Sequence, residues 1–159
     1  MAVTVAIETP LRDDVRQLIA ELNQVLLALT PPEFCFHMTV EEVAQPDTTV
    51  FVARDGGTAV ACGALRRHAN RIGEVKRMYT RPSHQGRGIG KGILAKIEGL
   101  ARAEGLRQLV IETGTRHFAA KRIYEKAGFT VCGAVLDYPQ SPYSVFYEKT
   151  IAAEGAPAS

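Results

Sequence analysis

Apolar and polar residues alternate with a period of two over residues 3–8, which predicts a first strand. The period then changes. Val15, Leu18, Ile19, Leu22, Val25, Leu26 and Leu29 recur at helical spacing behind Pro10. Asp13 and Asp14 fall in the first turn of that helix, where its dipole favours acids. The stripe reads as core. Thr30-Pro31-Pro32 stops the helix, and residues 40–44 predict a short second one. Residues 49–54 and 59–67 read as strands joined across Asp55-Gly56-Gly57, a hairpin signal. A further strand at 72–80 ends before Pro82, because proline cannot donate to a ladder. Ile89, Ile93, Leu94, Ile97, Leu100 and Ala101 mark one face of a long helix over 89–104, with Gly105 as its C-terminal glycine. A short apolar strand at 109–113, a helix at 118–127 closed by Gly128, and strands at 129–135 and 144–151 complete the chain. This mixed order predicts an α/β sheet with helices on both faces.

The length of 159 residues fits one domain over residues 1–151, and the small, polar tail at 152–159 is expected to fray. The formal net charge of +2 is spread along the chain and gives no argument for a nucleic-acid partner. Cys35, Cys62 and Cys132 cannot pair evenly, and Cys62 and Cys132 lie in apolar, strand-like runs where a free thiol acts as a small hydrophobe. The start MAVTVAIETP lacks the pattern of a signal peptide, and no apolar run approaches a membrane span. The expectation is a cytoplasmic protein with no membrane partner. His37, His68, His84 and His117 sit at no metal-ligand spacing, so no metal is expected.

The chemistry concentrates in RPSHQGRGIGK, residues 81–91, between a strand and an amphipathic helix. Gly86, Gly88 and Gly90 remove side chains, so backbone N–H groups can converge on a ligand at a helix N-terminus, the arrangement that holds phosphate. Arg87 and Lys91 add full charges. Two nucleotide motifs fail on spacing. A P-loop needs GxxxxGK followed by Ser or Thr, but Gln85 and Gly92 occupy the deciding positions. A dinucleotide fingerprint needs GxGxxG, but residue 91 is Lys. The alternative is a glycine-rich turn without a ligand.

Gln85-Gly86-Arg87-Gly88-Ile89-Gly90 resembles the (Q/R)xxGx(G/A) pyrophosphate loop of the GNAT superfamily of N-acetyltransferases. GEVKRMYTRP (73–82) resembles that superfamily's fourth strand, IETGT (111–115) its fifth, and AAKRIYEKAGF (119–129) the helix and turn that follow. The four pieces stand in the family's order. The resemblance implies a mixed, mostly antiparallel sheet with one splayed parallel pair and helices on both faces. It implies acetyl-CoA as cosubstrate, transfer of its acetyl group to a primary amine of a small molecule or peptide, and direct attack within a ternary complex. The pantetheine arm would pair with the backbone of Met78, Tyr79 and Thr80. The pyrophosphate would sit on Gln85, Gly86, Arg87, Gly88, Ile89, Gly90 and Lys91.

Tyr124 falls where the superfamily often has a tyrosine that protonates the departing thiolate, although it also lies on an apolar face with Ala120, Ile123 and Ala127. Glu74, which opens the fourth strand, is the expected general base. Regular strand parity puts it on the same face as Met78, about 13 Å away, so a water would bridge. Where the superfamily often has Asn, this chain has His117, which can still hydrogen-bond the pantetheine arm. His84 is expected to be solvated or near the phosphates. The acceptor site is expected from residues 31–40 and 136–147, with Phe34, Phe36, His37, Met38, Tyr138 and Tyr143 as lining; the bland reading of Phe34-Cys35-Phe36 is a lid over the core. A homodimer is open, since the superfamily often dimerises. The competing reading is a catalytically silent acyl-CoA-binding regulatory module.

Overall fold

The computed structural model describes residues 3–35 and 39–151. The expected fraying of 152–159 and the expected roles of Phe36, His37 and Met38 lie outside these residues. The described strands are β1 Val3–Ile7, β2 Thr48–Asp55, β3 Thr58–His68, β4 Ile72–Thr80, β5 Gln108–Gly114, β6 Thr130–Cys132 and β7 Ser144–Thr150. They form one sheet in the order β1-β2-β3-β4-β5-β7-β6. The helices are α1 Asp13–Leu29, α2 Val40–Val43, α3 Ile89–Ala103 and α4 Phe118–Lys126. Only β4 and β5 run parallel.

The β2–β3 hairpin turns through Gly56 and Gly57, at φ 59° and 89°. Two successive left-handed residues give the turn whose twist matches the strands. Both faces of these strands are covered. On one, Val50, Val52, Cys62 and Ala64 meet Val15, Leu18 and Ile19 of α1 and Val43 of α2. On the other, Phe51, Ala53, Val60 and Leu65 meet Ile93, Leu94 and Ile97 of α3. Double coverage explains why these strands are nearly continuous apolar runs rather than alternating ones.

Two features of β4 position the site. The first is a bulge. Cys62 pairs with Tyr79 and Ala64 with Lys76, so Arg77 and Met78 together face the single residue Gly63. Arg77 takes φ 56°, a left-handed conformation that costs a non-glycine residue about 1–3 kcal/mol. Gly63 must be glycine, because a Cβ there would collide with Met78 Sδ and come within 2.7 Å of Ile93 Cγ2. The extra residue inverts the strand's parity. Val75 and Met78, three apart, both pack on the α3 side, so Glu74 and Met78 lie on opposite faces. The expected shared face does not hold.

The second feature is a parting of strands. β4 and β5 pair at Ile72 with Gln108, Gly73 with Leu109 and Glu74 with Val110, and the ladder stops there. β5 stays paired with β7 along its whole length, so it is the β4 edge from Lys76 to Thr80 that is left without a neighbour on the β5 side.

Two expectations shift. The strand predicted at 129–135 shortens to β6, Thr130–Cys132, at the sheet edge. The α1 stripe is core only in its first half. Val15, Leu18, Ile19 and Leu22 are buried, but Val25 is 39% exposed and Leu26 lines a cleft. The three cysteines carry free thiols. No helix among the described residues is long and apolar enough to cross a membrane.

Candidate active site

Where β4 and β5 part, a cleft of about 90 Å³ opens. Leu22 and Leu26 of α1 form one wall. Lys76, Arg77 and Met78 of β4 face Glu112, Thr113 and Gly114 of β5, and His117 and Tyr124 close it from the α4 side. Phe34 and Tyr143, two of the expected acceptor-site residues, meet over it with ring centroids 4.9 Å apart.

The glycine-rich loop runs from the end of β4 into α3. Gly86 and Gly88 have φ 77° and 78°, and nothing lies within 4 Å of a Cβ built on either. Their glycine is required by backbone conformation, and the space around them is open. Gly88 caps α3, and the first helical N–H with a carbonyl one turn behind it is that of Gly92, bonded to Gly88 at 3.0 Å. The N–H groups of Ile89, Gly90 and Lys91 are thus without intrahelical partners, as at any helix start. Gly90 serves differently. It is buried, and a Cβ there would stand 3.0 Å from Ile123 Cδ1, so it lets α4 approach α3. Arg87 and Lys91 are exposed beside this N-terminus. The loop fits a pyrophosphate by its open space, its unpaired donors and its charge.

The flanks are tied down. Gln85 donates to the Thr80 carbonyl at 3.1 Å. Tyr79 donates to Glu21 at 3.1 Å, and Arg81 pairs with the same carboxylate at 2.9 Å, fixing the end of β4 to α1. Tyr79 and Met78 therefore face opposite ways. His84 is not a solvated side chain. It is half-buried, with Nε2 2.9 Å from Asp55, and so holds the loop to the β2–β3 hairpin.

The titratable residues divide into two groups. Glu74 is 2% exposed and lies outside the cleft lining. Its carboxylate takes His68 Nε2 at 2.8 Å, Lys76 Nζ at 3.3 Å and the Tyr138 hydroxyl at 2.5 Å. Lys76 also donates to the Tyr138 oxygen. Burial, then the Glu74 charge, pushes the Tyr138 phenol well above its ordinary value. Tyr138 was expected to line the acceptor site; it spends its hydroxyl on Glu74.

Inside the cleft stand Tyr124, Glu112, His117 and Arg77. Tyr124 is 4% exposed and packs against Phe129 and Tyr147. Burial, then the Glu112 carboxylate, raises its phenol, which keeps its proton through the neutral range. Glu112 is half-buried, and its carboxylate accepts from Ser144 Oγ at 2.8 Å. Burial raises its pKa above the ordinary carboxylate range, against the opposing effect of that hydrogen bond. Burial lowers the pKa of His117, and its Nε2 is buried with no partner among the described residues.

Of the residues expected from sequence, Met78, His117 and Tyr124 meet in this cleft and Glu74 does not. Sequence reasoning passed over Glu112 and Arg77. Glu112 did carry a signal, as the one acid inside the apolar run LVIET.

Comparison with known proteins agrees with this geometry. A family model described as an acetyltransferase (GNAT) domain matches residues 46–131. The chain is 41% identical over 150 residues to an IAA acetyltransferase of Azospirillum brasilense, covering 94% of this chain and 98% of that one. It is 34% identical over 141 residues to the uncharacterised N-acetyltransferase YsnE of Bacillus subtilis (strain 168), covering 86% and 93%. A Klebsiella pneumoniae structure provisionally named an acyl-CoA N-acyltransferase superposes with a TM-score of 0.79 at 30% identity, covering 93% and 97%. The PaiA N-acetyltransferase of Thermoplasma acidophilum, solved with coenzyme A, gives 0.71 at 16% identity, covering 95% and 100%, a likeness of fold. A sheet split beside a glycine-rich helix start belongs to the acyl-CoA N-acyltransferases. The chain is a member of the GNAT family of acetyltransferases, which draw their acetyl group from acetyl-CoA.

Proposed function

We propose that the protein moves the acetyl group of acetyl-CoA to a primary amine of a small molecule or peptide by direct attack in a ternary complex. One observation carries this reading: the cleft at the strand parting is lined by both a protonated phenol, Tyr124, and a half-buried carboxylate, Glu112. The free β4 edge at Met78, Tyr79 and Thr80 offers backbone groups to the pantetheine arm. Gln85, Gly86, Arg87, Gly88, Ile89, Gly90 and Lys91 offer donors and charge to the pyrophosphate. His117, kept neutral by burial, offers its unpaired Nε2 to the arm.

In this reading Glu112 accepts the proton that the amine loses as its nitrogen bonds to the acetyl carbon. The carbon–sulfur bond breaks and its electron pair leaves on sulfur. Tyr124 donates a hydrogen bond to that sulfur. A phenol raised above its usual ~10 is a weaker acid than a thiol of ~8.5, so it steadies the thiolate without giving up its proton for good. Glu74 is assigned away from the base role expected of it: with three partners on its carboxylate it fixes Lys76 and Tyr138. A silent CoA-binding module would need neither a carboxylate nor a free phenol at the thioester, so those two groups favour the enzyme.

Thermal melting tests the cosubstrate. Acetyl-CoA at a hundred times its Kd should stabilise the fold by about 2.7 kcal/mol, a rise of roughly 5–11 °C for a chain of this size. ATP and NAD at equal concentration should leave the midpoint unchanged. An equal or larger shift with ATP or NAD would contradict the loop assignment.

A further inference from the structure

Arg77 is 7% exposed, lies at the β4 bulge and lines the cleft. Its side chain donates to the neutral Asn23 amide oxygen on α1. Its Nε is buried with no partner. No carboxylate among the described residues pairs with it, although thirteen ion pairs hold other side chains. Burial pushes the guanidinium's pKa down; the Cys62 thiol acts the other way, and no carboxylate does.

A buried cation without a counter-charge is costly. The bulge that holds it there is itself strained. Glu112, across the same cleft, is in the complementary position: its one hydrogen bond comes from the neutral Ser144 hydroxyl. Arg77 and Glu112 share a cleft, yet do not pair with each other. The cleft therefore presents a positive and a negative group each bonded only to a neutral side chain, while its other lining cation, Lys76, is paired with Glu74.

We infer that the acceptor is an amine that also carries a carboxylate, an amino acid in the simplest case, with its carboxylate on Arg77 and its amine at Glu112. The guanidinium's free Nε–H supplies a charge-assisted donor to one carboxylate oxygen. Seating the carboxylate on β4 leaves the amine on the β5 side, toward Glu112 and Tyr124. Leu22, Leu26, Phe34 and Tyr143 then border the rest of the acceptor, which favours an apolar side chain. This inference rests on the acetyl-transfer reading and narrows its substrate class.

The test is thiol release from acetyl-CoA with matched pairs, each common L-amino acid beside its own carboxamide. The best acid should exceed its amide in kcat/KM by at least about tenfold. R77Q should lower kcat/KM for the acid by a similar factor, mostly through KM, and lower it less for the amide, so that the preference for the acid collapses. R77K, which keeps the charge without the fork, should retain part of the preference; it also serves if R77Q does not fold. Equal use of acids and amides, or equal loss of both in the Arg77 variants, overturns the anchor and leaves acetyl transfer standing. Silence of every pair contradicts acetyl transfer to such amines, and the anchor falls with it.

Discussion

Tyr124→Phe lowers kcat by about 10²–10³-fold, the usual effect of removing one donor aimed at developing charge, while acetyl-CoA still raises the melting midpoint as in the parent. The split between the two readouts follows from where the hydroxyl lies. The ring is core, packed with Phe129 and Tyr147, and phenylalanine keeps those contacts. No hydrogen bond acts on its titration, which is governed by burial and by the neighbouring Glu112 and Tyr147. Removing the oxygen therefore orphans no partner, and stability should change by less than about 0.5 kcal/mol. What is lost is a donor facing the sulfur as its bond breaks. Unchanged turnover would remove Tyr124 from the mechanism. A large fall in melting temperature would show that the residue acts through packing.

Glu112→Gln has the second large effect, a fall in kcat/KM of about 10²–10⁴-fold, the range for a general base. Its pH dependence separates it from a structural role. The base must be ionised, so the parent should lose activity as pH falls through a pKa above the ordinary glutamate value of ~4.3. That acid limb should be absent from E112Q. Stability should move the other way. With a raised folded pKa, the folded chain binds more protons than the unfolded one between the two values. The stability Glu112 contributes is present below the ordinary value and is lost as pH rises through the raised one. Glutamine can still accept from Ser144 and carries no charge to desolvate, so E112Q should melt at or above the parent at neutral pH. An acid limb that persists in E112Q would point to another base.

The sheet and helices were largely legible, because the periods of two and 3.6 and the glycine and proline punctuation report directly on which face of each element meets the core. The loop from Gln85 to Lys91 was legible for a similar reason, since left-handed Gly86 and Gly88 leave a mark in residue type. The bulge at Arg77 left none, because an arginine at positive φ looks like any other, and the only trace is Gly63 on the neighbouring strand. Missing that one residue reversed the faces of β4 and put Glu74 on the wrong side. The α1 stripe misled differently. Leu22 and Leu26 continue the period set by Val15 and Leu18, and nothing in the spacing tells which turns lie over the sheet and which over the gap beside it. Glu112 stood inside a quoted motif, but its role depends on the parting of β4 from β5, a long-range fact.

The most direct test of the central claim is a mass balance with wild-type protein, acetyl-CoA and a primary amine, following free thiol and acetylated amine together. The account predicts that thiol release needs the amine, and that each thiol is matched by one new amide. Thiol release at the same rate without amine, or release with no amide formed, would contradict it.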